Sequence, residues 1–275
     1  MNRKFYFTVH KGDILRGRIL EGSHVMLVAA SHWDNRKKRF MIQRTPPGHV
    51  SSISIDSGGF TAAQRWGEYP WTVEEYVEFI RKSSENVRLD FCAVMDYACE
   101  PDVNRTVNPT NIDRIKATVE NEALCIAAAP DLPWLPVLQG DNLSEREFDI
   151  EYRAKNNVEI KPYMGIGSVC KRGAKKAREV VRFYAGTLTG VRYHAFGLDV
   201  RALNKCDVLR NIKSWDSYAW AFGRGMRSVG GHKIREGESH TEHTIRLAKT
   251  YLENTVSPRL ARGKKCDQEM LLEIY

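Results

Sequence analysis

The residues Asp56-Ser57-Gly58-Gly59-Phe60 set a carboxylate, a hydroxyl, two glycines and an aromatic ring side by side. Glycine lets a ligand approach the backbone closely and tolerates φ > 0. With a flat ring beside them, these groups suit a planar ligand that hydrogen-bonds at its edges, such as a nucleobase. The same residues also read as a plain strand-to-helix turn with an Asp/Ser cap. Further along, Asp96, Gln139-Gly140, Gly165/Gly167 and Asp216 each sit at the end of a short apolar run. Two carboxylates on one site can divide the work of nucleophile and acid/base, as in retaining glycoside cleavage, with no cofactor required. Asp96 can accept from an N–H edge, Gln139 can donate and accept, the glycines can offer backbone groups, and Phe60 can stack. An enzyme acting on a base draws it out of the stack into such a pocket.

Those groups need elements to hold them. Apolar runs at Val25–Ala30, Ser52–Ile55, Phe91–Met95, Leu135–Leu138, Tyr163–Ser168, Val191–Leu198 and Ile212–Trp215 have the length of buried strands. Helical spacing between them covers Trp71–Ile80 (with Thr72 and Glu75 as cap), Asn111–Ala127, Ser144–Asn156 and Arg172–Ala185, and returns at Glu242–Leu252. Such alternation predicts a parallel sheet covered on both faces. Seven strands and an indistinct eighth, to be supplied around Val229 to Ile234, fit an α/β (β/α)8 TIM-type barrel; a doubly wound open sheet is the alternative. The divisions expected are a cap or extension over 1–24, a barrel over 25–257 and a charged, partly mobile tail over 258–275. In a (β/α)8 barrel the C-terminal strand ends form the active-site face, and all the polar residues above fall there.

The 275 residues carry a formal net charge of +8 and a pI near 9.1, which favours a polyanionic partner. Lys171, Arg172, Lys175, Lys176 and Arg178, with Arg224 and Arg227, are the candidate phosphate contacts. Each of them serves equally well as solvated surface. Trp66, Tyr69 and Trp71 could stack on nucleotides but read better as core. Six cysteines without a Cys-x-x-Cys pair read as reduced thiols, and no apolar run reaches membrane length. With no signal peptide at Met1–Phe7, the cytoplasm is the expected compartment, a host's cytoplasm if the gene is viral.

Asp56-Ser57-Gly58-Gly59-Phe60 resembles the Asp-Ser-Gly-Gly-(Phe/Tyr) signature of the tRNA-guanine transglycosylases, (β/α)8 enzymes that exchange guanine for a 7-deazaguanine. Met95-Asp96, Gln139-Gly140, Gly165-Ile166-Gly167 and Ser214-Trp215-Asp216-Ser217 follow in that family's order, so the likeness covers about residues 25–225. The resemblance implies Asp216 as nucleophile on C1′ and Asp56 as general acid/base. It implies Asp96, Ser57, Gln139 and Gly167 as hydrogen-bond partners of the base, and Phe60 as its stacking face. The family's zinc cysteines are missing: Cys266 is the only cysteine after Asp216, so the cysteine pattern does not support a structural zinc. His232, His240 and His243 leave a histidine metal site open. There is no room for the accessory RNA-binding domain of some members.

These losses resemble the compact branch that places a 7-deazaguanine such as preQ0 into DNA, found in phage and bacterial modification systems. DNA is therefore the expected substrate and tRNA the alternative, with a homodimer or an accessory subunit left open. Two further readings are a glycosidic-bond hydrolase and a non-catalytic nucleic-acid-binding barrel, the latter opposed by strand-end carboxylates that would repel phosphate.

Overall fold

Along Lys4–Val9, Phe5, Phe7 and Val9 alternate with Tyr6 and Thr8, the period of a strand with two different faces. In the computed structural model, which describes residues 2–10, 13, 20–42, 49–100, 109–221 and 234–272, this segment is a barrel strand. The barrel strands are β1 (Lys4–Val9), β2 (His24–Val28), β3 (Ser52–Asp56), β4 (Leu89–Ala93), β5 (Trp134–Leu135), β6 (Val137–Leu138), β7 (Tyr163–Ile166), β8 (Arg192–Ala195) and β9 (Ile212–Ser217). All pair in parallel in the order β5-β4-β3-β2-β1-β9-β8-β7-β6.

The two end strands of that order, β5 and β6, are consecutive pieces of one run broken at Pro136. Proline has no N–H for the ladder. Its carbonyl still accepts from Gly165 N–H at 2.7 Å, so the run stays paired on that side. Eight staves thus form a nearly closed (β/α)8-type barrel, as expected.

The α-helices are α1 (Gly59–Trp66), α2 (Val73–Ser84), α3 (Asn111–Ala128), α4 (Leu143–Lys155), α5 (Ala174–Thr187), α6 (Cys206–Leu209), α7 (His240–Tyr251) and α8 (Ser257–Leu272). Capping boxes open α2 (Thr72/Glu75), α3 (Thr110/Asp113), α4 (Asn142/Glu145) and α7 (Ser239/Glu242). Each satisfies N–H groups that a helix start leaves free. Outward strand residues such as Phe5, Val25, Ile53 and Trp215 join the main core with the helices. Tyr6, Met26, Phe91 and Leu135 form a separate cluster that fills the barrel.

Three sequence expectations change. Residues 4–9 are not a cap: β1 sits between β2 and β9 and supplies the stave sought near Val229–Ile234, of which 229–233 lie outside the described residues. The charged tail forms α8, tied down where Arg3 forks onto Asp267 with both bonds at 2.7 Å. Arg3 gains from a bidentate geometry that only a folded tail can offer. And not all cysteines are free thiols, because Cys206 on α6 is bonded to Cys266 on α8. A pairing across 60 residues leaves no spacing signal in the sequence.

Arg153 is wholly buried, bonding Asp149 at 3.0 Å, the Val137 carbonyl at 2.8 Å and Glu122, so it joins α4, β6 and α3. Removing it strands two buried carboxylates. The Arg153→Leu substitution is expected to lower the unfolding free energy by about 3–5 kcal/mol. Guanidinium titration checks this, and an unchanged midpoint would contradict the role given to the network.

Candidate active site

Inward positions of the strands lead up to the site. On β3, Ser52, Ser54 and Asp56 alternate with the outward Ile53 and Ile55; on β9, Ser214 and Asp216 flank the outward Trp215. A cavity of about 770 Å³ opens at the C-terminal ends, and every stave contributes to its wall. The contributors, in chain order, are Thr8, Val28, Asp56, Asp96, Gln139, Gly167, Phe196/Gly197 and Asp216.

The turn after β3 follows from its sequence. Gly58, at φ +81°, donates its N–H to Asp56 Oδ1 at 2.9 Å and starts α1. Gly59 lies so close to the next stave that a Cβ there would sit 2.0 Å from the Asp96 carbonyl oxygen. Asp96 is braced on both oxygens: Ser57 Oγ donates to Oδ1 at 2.7 Å and Gln139 Nε2 to Oδ2 at 2.6 Å. Gln139 is itself held, with Ser168 Oγ donating to its Oε1 at 2.6 Å and Asp149 accepting its backbone N–H at 3.0 Å. Tyr69 Oη donates to the Asp96 carbonyl at 2.5 Å.

On the opposite side, Asp216 accepts from Thr8 Oγ1 at 2.5 Å and from Gly197 N–H at 2.8 Å. His194 Nε2 lies 3.3 Å from its Oδ1, while His194 Nδ1 meets Ser214 Oγ at 2.6 Å. His194 is fully buried, and burial holds its pKa below the ordinary value despite the carboxylate.

Burial, reinforced by the nearby Asp96 and Asp216 charges, pushes Asp56 up to about 8. The Gly58 N–H opposes this only in part. Burial also raises Asp96 to about 6, against the Ser57 and Gln139 hydrogen bonds. An arrangement of one proton-holding carboxyl, one braced carboxylate and one hydrogen-bonded carboxylate can protonate a leaving group, grip an N–H edge and attack carbon.

A family model, DpdA: DeoxyPurine in DNA protein A, matches residues 1–255. The chain belongs to this family. DpdA is the DNA-guanine transglycosylase of the tRNA-guanine transglycosylase superfamily. The protein is thus a guanine transglycosylase, a pentosyltransferase, acting on DNA in 7-deazaguanine modification. No curated protein gives a significant match. No helix among the described residues is long and apolar enough to cross a membrane.

Asp56, Gly59, Phe60, Asp96, Gln139, Gly167, Lys171, Arg172 and Asp216 of the expected site line the cavity. Ser57, Gly58, Gly140 and Gly165 do not. Ser57 works from beneath as the Asp96 donor, and Gly140 packs against Arg146. Gly165 lies inside β7 against the Phe196 ring, where a Cβ would come within 2.6 Å.

Arg172, expected on the phosphate surface, precedes α5 and is buried in an ion pair with Asp141. Lys171 is exposed, its Nζ 4.4 Å from the centre of the Phe60 ring, and Lys175 is exposed on α5. Trp71 and Tyr69 are buried among aromatic neighbours, as packing predicts. Arg224, Arg227 and His232 lie outside the described residues. His243 is buried against Glu238 and Arg246, whereas His240 is exposed.

The sequence reading missed Thr8, His194, Gly197 and Ser168. The period-two pattern of Phe5, Phe7 and Val9 would have exposed Thr8 as an inward residue. His194 carried a weaker signal, a single imidazole inside an apolar strand.

Asp56 keeps its proton up to about pH 8 in the fold but loses it near the ordinary carboxyl value when unfolded. The folded form therefore holds the extra proton between about pH 4 and 8, and stability falls as pH rises through that window. In Asp56→Asn this contribution disappears, so the variant gains stability relative to the parent toward pH 8–9. Denaturation midpoints for both proteins across pH 4–9 measure it, and parallel curves would refute it.

Proposed function

We propose that the protein exchanges guanine in DNA for a 7-deazaguanine such as preQ0 through a covalent aspartyl–nucleotide intermediate. A guanine flipped from the stack enters the cavity, with Asp96 accepting its N1–H and 2-amino hydrogens. Gln139 keeps Asp96 aimed and has a second N–H for the C6 carbonyl, and Phe60 packs on the ring. An Asp216 oxygen attacks C1′ as the glycosidic bond breaks, and Asp56 gives its proton to the departing base. The incoming base then returns a proton from N9 to Asp56, and its nitrogen displaces Asp216 from C1′. Chemical balance needs no further reactant.

The observation that carries this reading is the meeting of Asp56 and Asp216, from staves far apart in sequence, over a braced Asp96. The raised pKa of Asp56 supports its acid role at neutral pH. Thr8, Gly197 and His194 support Asp216 by fixing its carboxylate. Lys171 at the cavity wall and the exposed Lys175 on α5 would contact phosphate, which would make binding salt-dependent.

Incorporation of radiolabelled preQ0 or guanine, with DNA and tRNA offered in parallel, tests the proposal. Label is expected in DNA, with a loss of at least about a thousandfold in Asp216→Asn and a large loss in Asp56→Asn. Labelling by Asp216→Asn at the native rate would remove it as nucleophile. Base release without incorporation would make the enzyme a hydrolase.

A further inference from the structure

A run of like charge beside the mouth of the cavity is left unanswered by the rest of the fold. After β2 the chain turns at Ala29–Ser31 and forms a small antiparallel ribbon, Trp33–Asp34 against Arg39–Phe40. Its tip carries Arg36, Lys37, Lys38 and Arg39 in succession, all exposed. Among the described residues none of these cations is ion-paired with a carboxylate. Other exposed cations do find acids: Arg81 pairs with Asp131, Lys82 with Glu78 and Arg182 with Asp207. Cations held together without counter-charges repel one another, and a polyanion relieves that repulsion.

The ribbon is held in one shape. Asp34 Oδ1 accepts from the Arg36 and Lys37 N–H groups at 3.0 and 3.1 Å. Lys38 has φ +47°, where asparagine or glycine sits more easily, and its Nζ donates to Asn35 Oδ1 at 2.9 Å. At the base, the Phe40 ring stacks on Phe79 of α2 with centres 4.6 Å apart, and Trp33 lies 5.4 Å from Trp71. Charges presented on a fixed turn lose less freedom on binding than charges on a loose loop.

Its place on the ring gives it a target. Val28, at the end of β2, lines the cavity, and a Cβ on Gly58 in the turn after β3 would come within 2.4 Å of the Ala30 Cβ. Arg36 follows Val28 by eight residues, at most about 29 Å of extended chain and so less than the roughly 34–36 Å of one duplex turn. Round the ring of eight staves, β2 and β7 are four staves apart in either direction. The ribbon therefore stands across the mouth from the segment after β7, which bears Lys171 and Lys175.

We propose that the Arg36–Arg39 ribbon binds the DNA backbone on one flank of the flipped nucleotide, opposite the flank met by Lys171 and Lys175. This rests on the reading that a guanine leaves the stack and enters the cavity from the C-terminal strand ends. Arg36 and Lys37 are the principal contacts, since Lys38 is engaged at its Nζ and Arg39 shares a groove with Glu75 and Glu78 of α2. Such contacts set the position of the DNA over the cavity without reading its sequence.

The test compares the native chain with Arg36→Gln/Lys37→Gln. Only the backbone N–H groups of these two residues enter the bonds of the turn, so the ribbon is preserved. Fluorescence anisotropy over a salt series measures binding to three duplexes with a single G·C pair, placed centrally or a few base pairs from the 5′ or the 3′ end. On the central duplex the variant should bind about tenfold or more weakly at 0.1 M salt. Its slope of log affinity against log salt should be shallower by about 1–2, the loss of one or two phosphate contacts. On one truncated duplex, and only one, the two proteins should bind alike, because the DNA that the ribbon holds is gone. Equal slopes on the central duplex, no binding by the native chain, or any other pattern on the truncated pair overturns the proposal; an undiminished loss on both would mark a general effect of net charge. Failure of the exchange reading shows separately, as absence of label in DNA that the protein still binds.

Discussion

Several carboxylates crowded into one poorly solvated cavity set the terms for the rest of this molecule. Like charges at such distances cannot all be ionised without answering donors, and each lost proton carries a desolvation cost. The wall solves this group by group. Asp96 receives two side-chain donors, Asp216 receives Thr8 and a backbone N–H, and Asp56 keeps its proton. Because these groups are coupled, a change at one carboxylate alters the proton affinity of its neighbours. The division of labour between acid and nucleophile is therefore a property of the set.

That arrangement depends on a rigid floor. Below the cavity, Tyr6, Met26, Phe91 and Leu135 close the barrel, with His194 4.9 Å from Phe91 between ring centres. Lower still, Asp90 takes Lys4, Tyr6 and Ser52, a polar hub at the end where barrels invest in stability. A packed interior leaves entry only from the top, so a base meets the braced edge of Asp96 in a fixed orientation. The Gln139–Ser168 and Gln139–Asp149 contacts extend this bracing into the turn after β7 and into α4, which makes the recognition edge part of the scaffold.

Much of the site was legible because strand ends in a parallel barrel converge whatever their separation in sequence. Asp56, Asp96, Gln139 and Asp216 could each be found as a polar residue ending an apolar run. The supporting groups were less visible. Thr8 belongs to a strand whose basic flanks obscured its alternation, and His194 gains meaning only from its register beside Ser214. Arg172 looked like a surface cation because charge does not reveal its partner, here Asp141. The ring itself was readable to within one stave. The tail was misread because its apolar contacts and its bond to Cys206 come from elements that sequence spacing does not connect.

The position of β1 has a consequence for how the chain comes to be folded. Lys4 pairs with Ser214, and Arg3 with Asp267, so the first strand made waits for residues more than 200 positions later. During synthesis, β1 through β8 can pair only as an open, curling sheet whose two edges stay unsatisfied. The polar wall of the cavity cannot assemble until β9 arrives, since Asp216 and its partner Thr8 lie on the last and first strands to be joined. Acquisition of the catalytic set therefore coincides with the most non-local strand pairing among the described residues, and a chain stalled before that point would expose an open edge at β1 with Thr8 lacking its carboxylate partner.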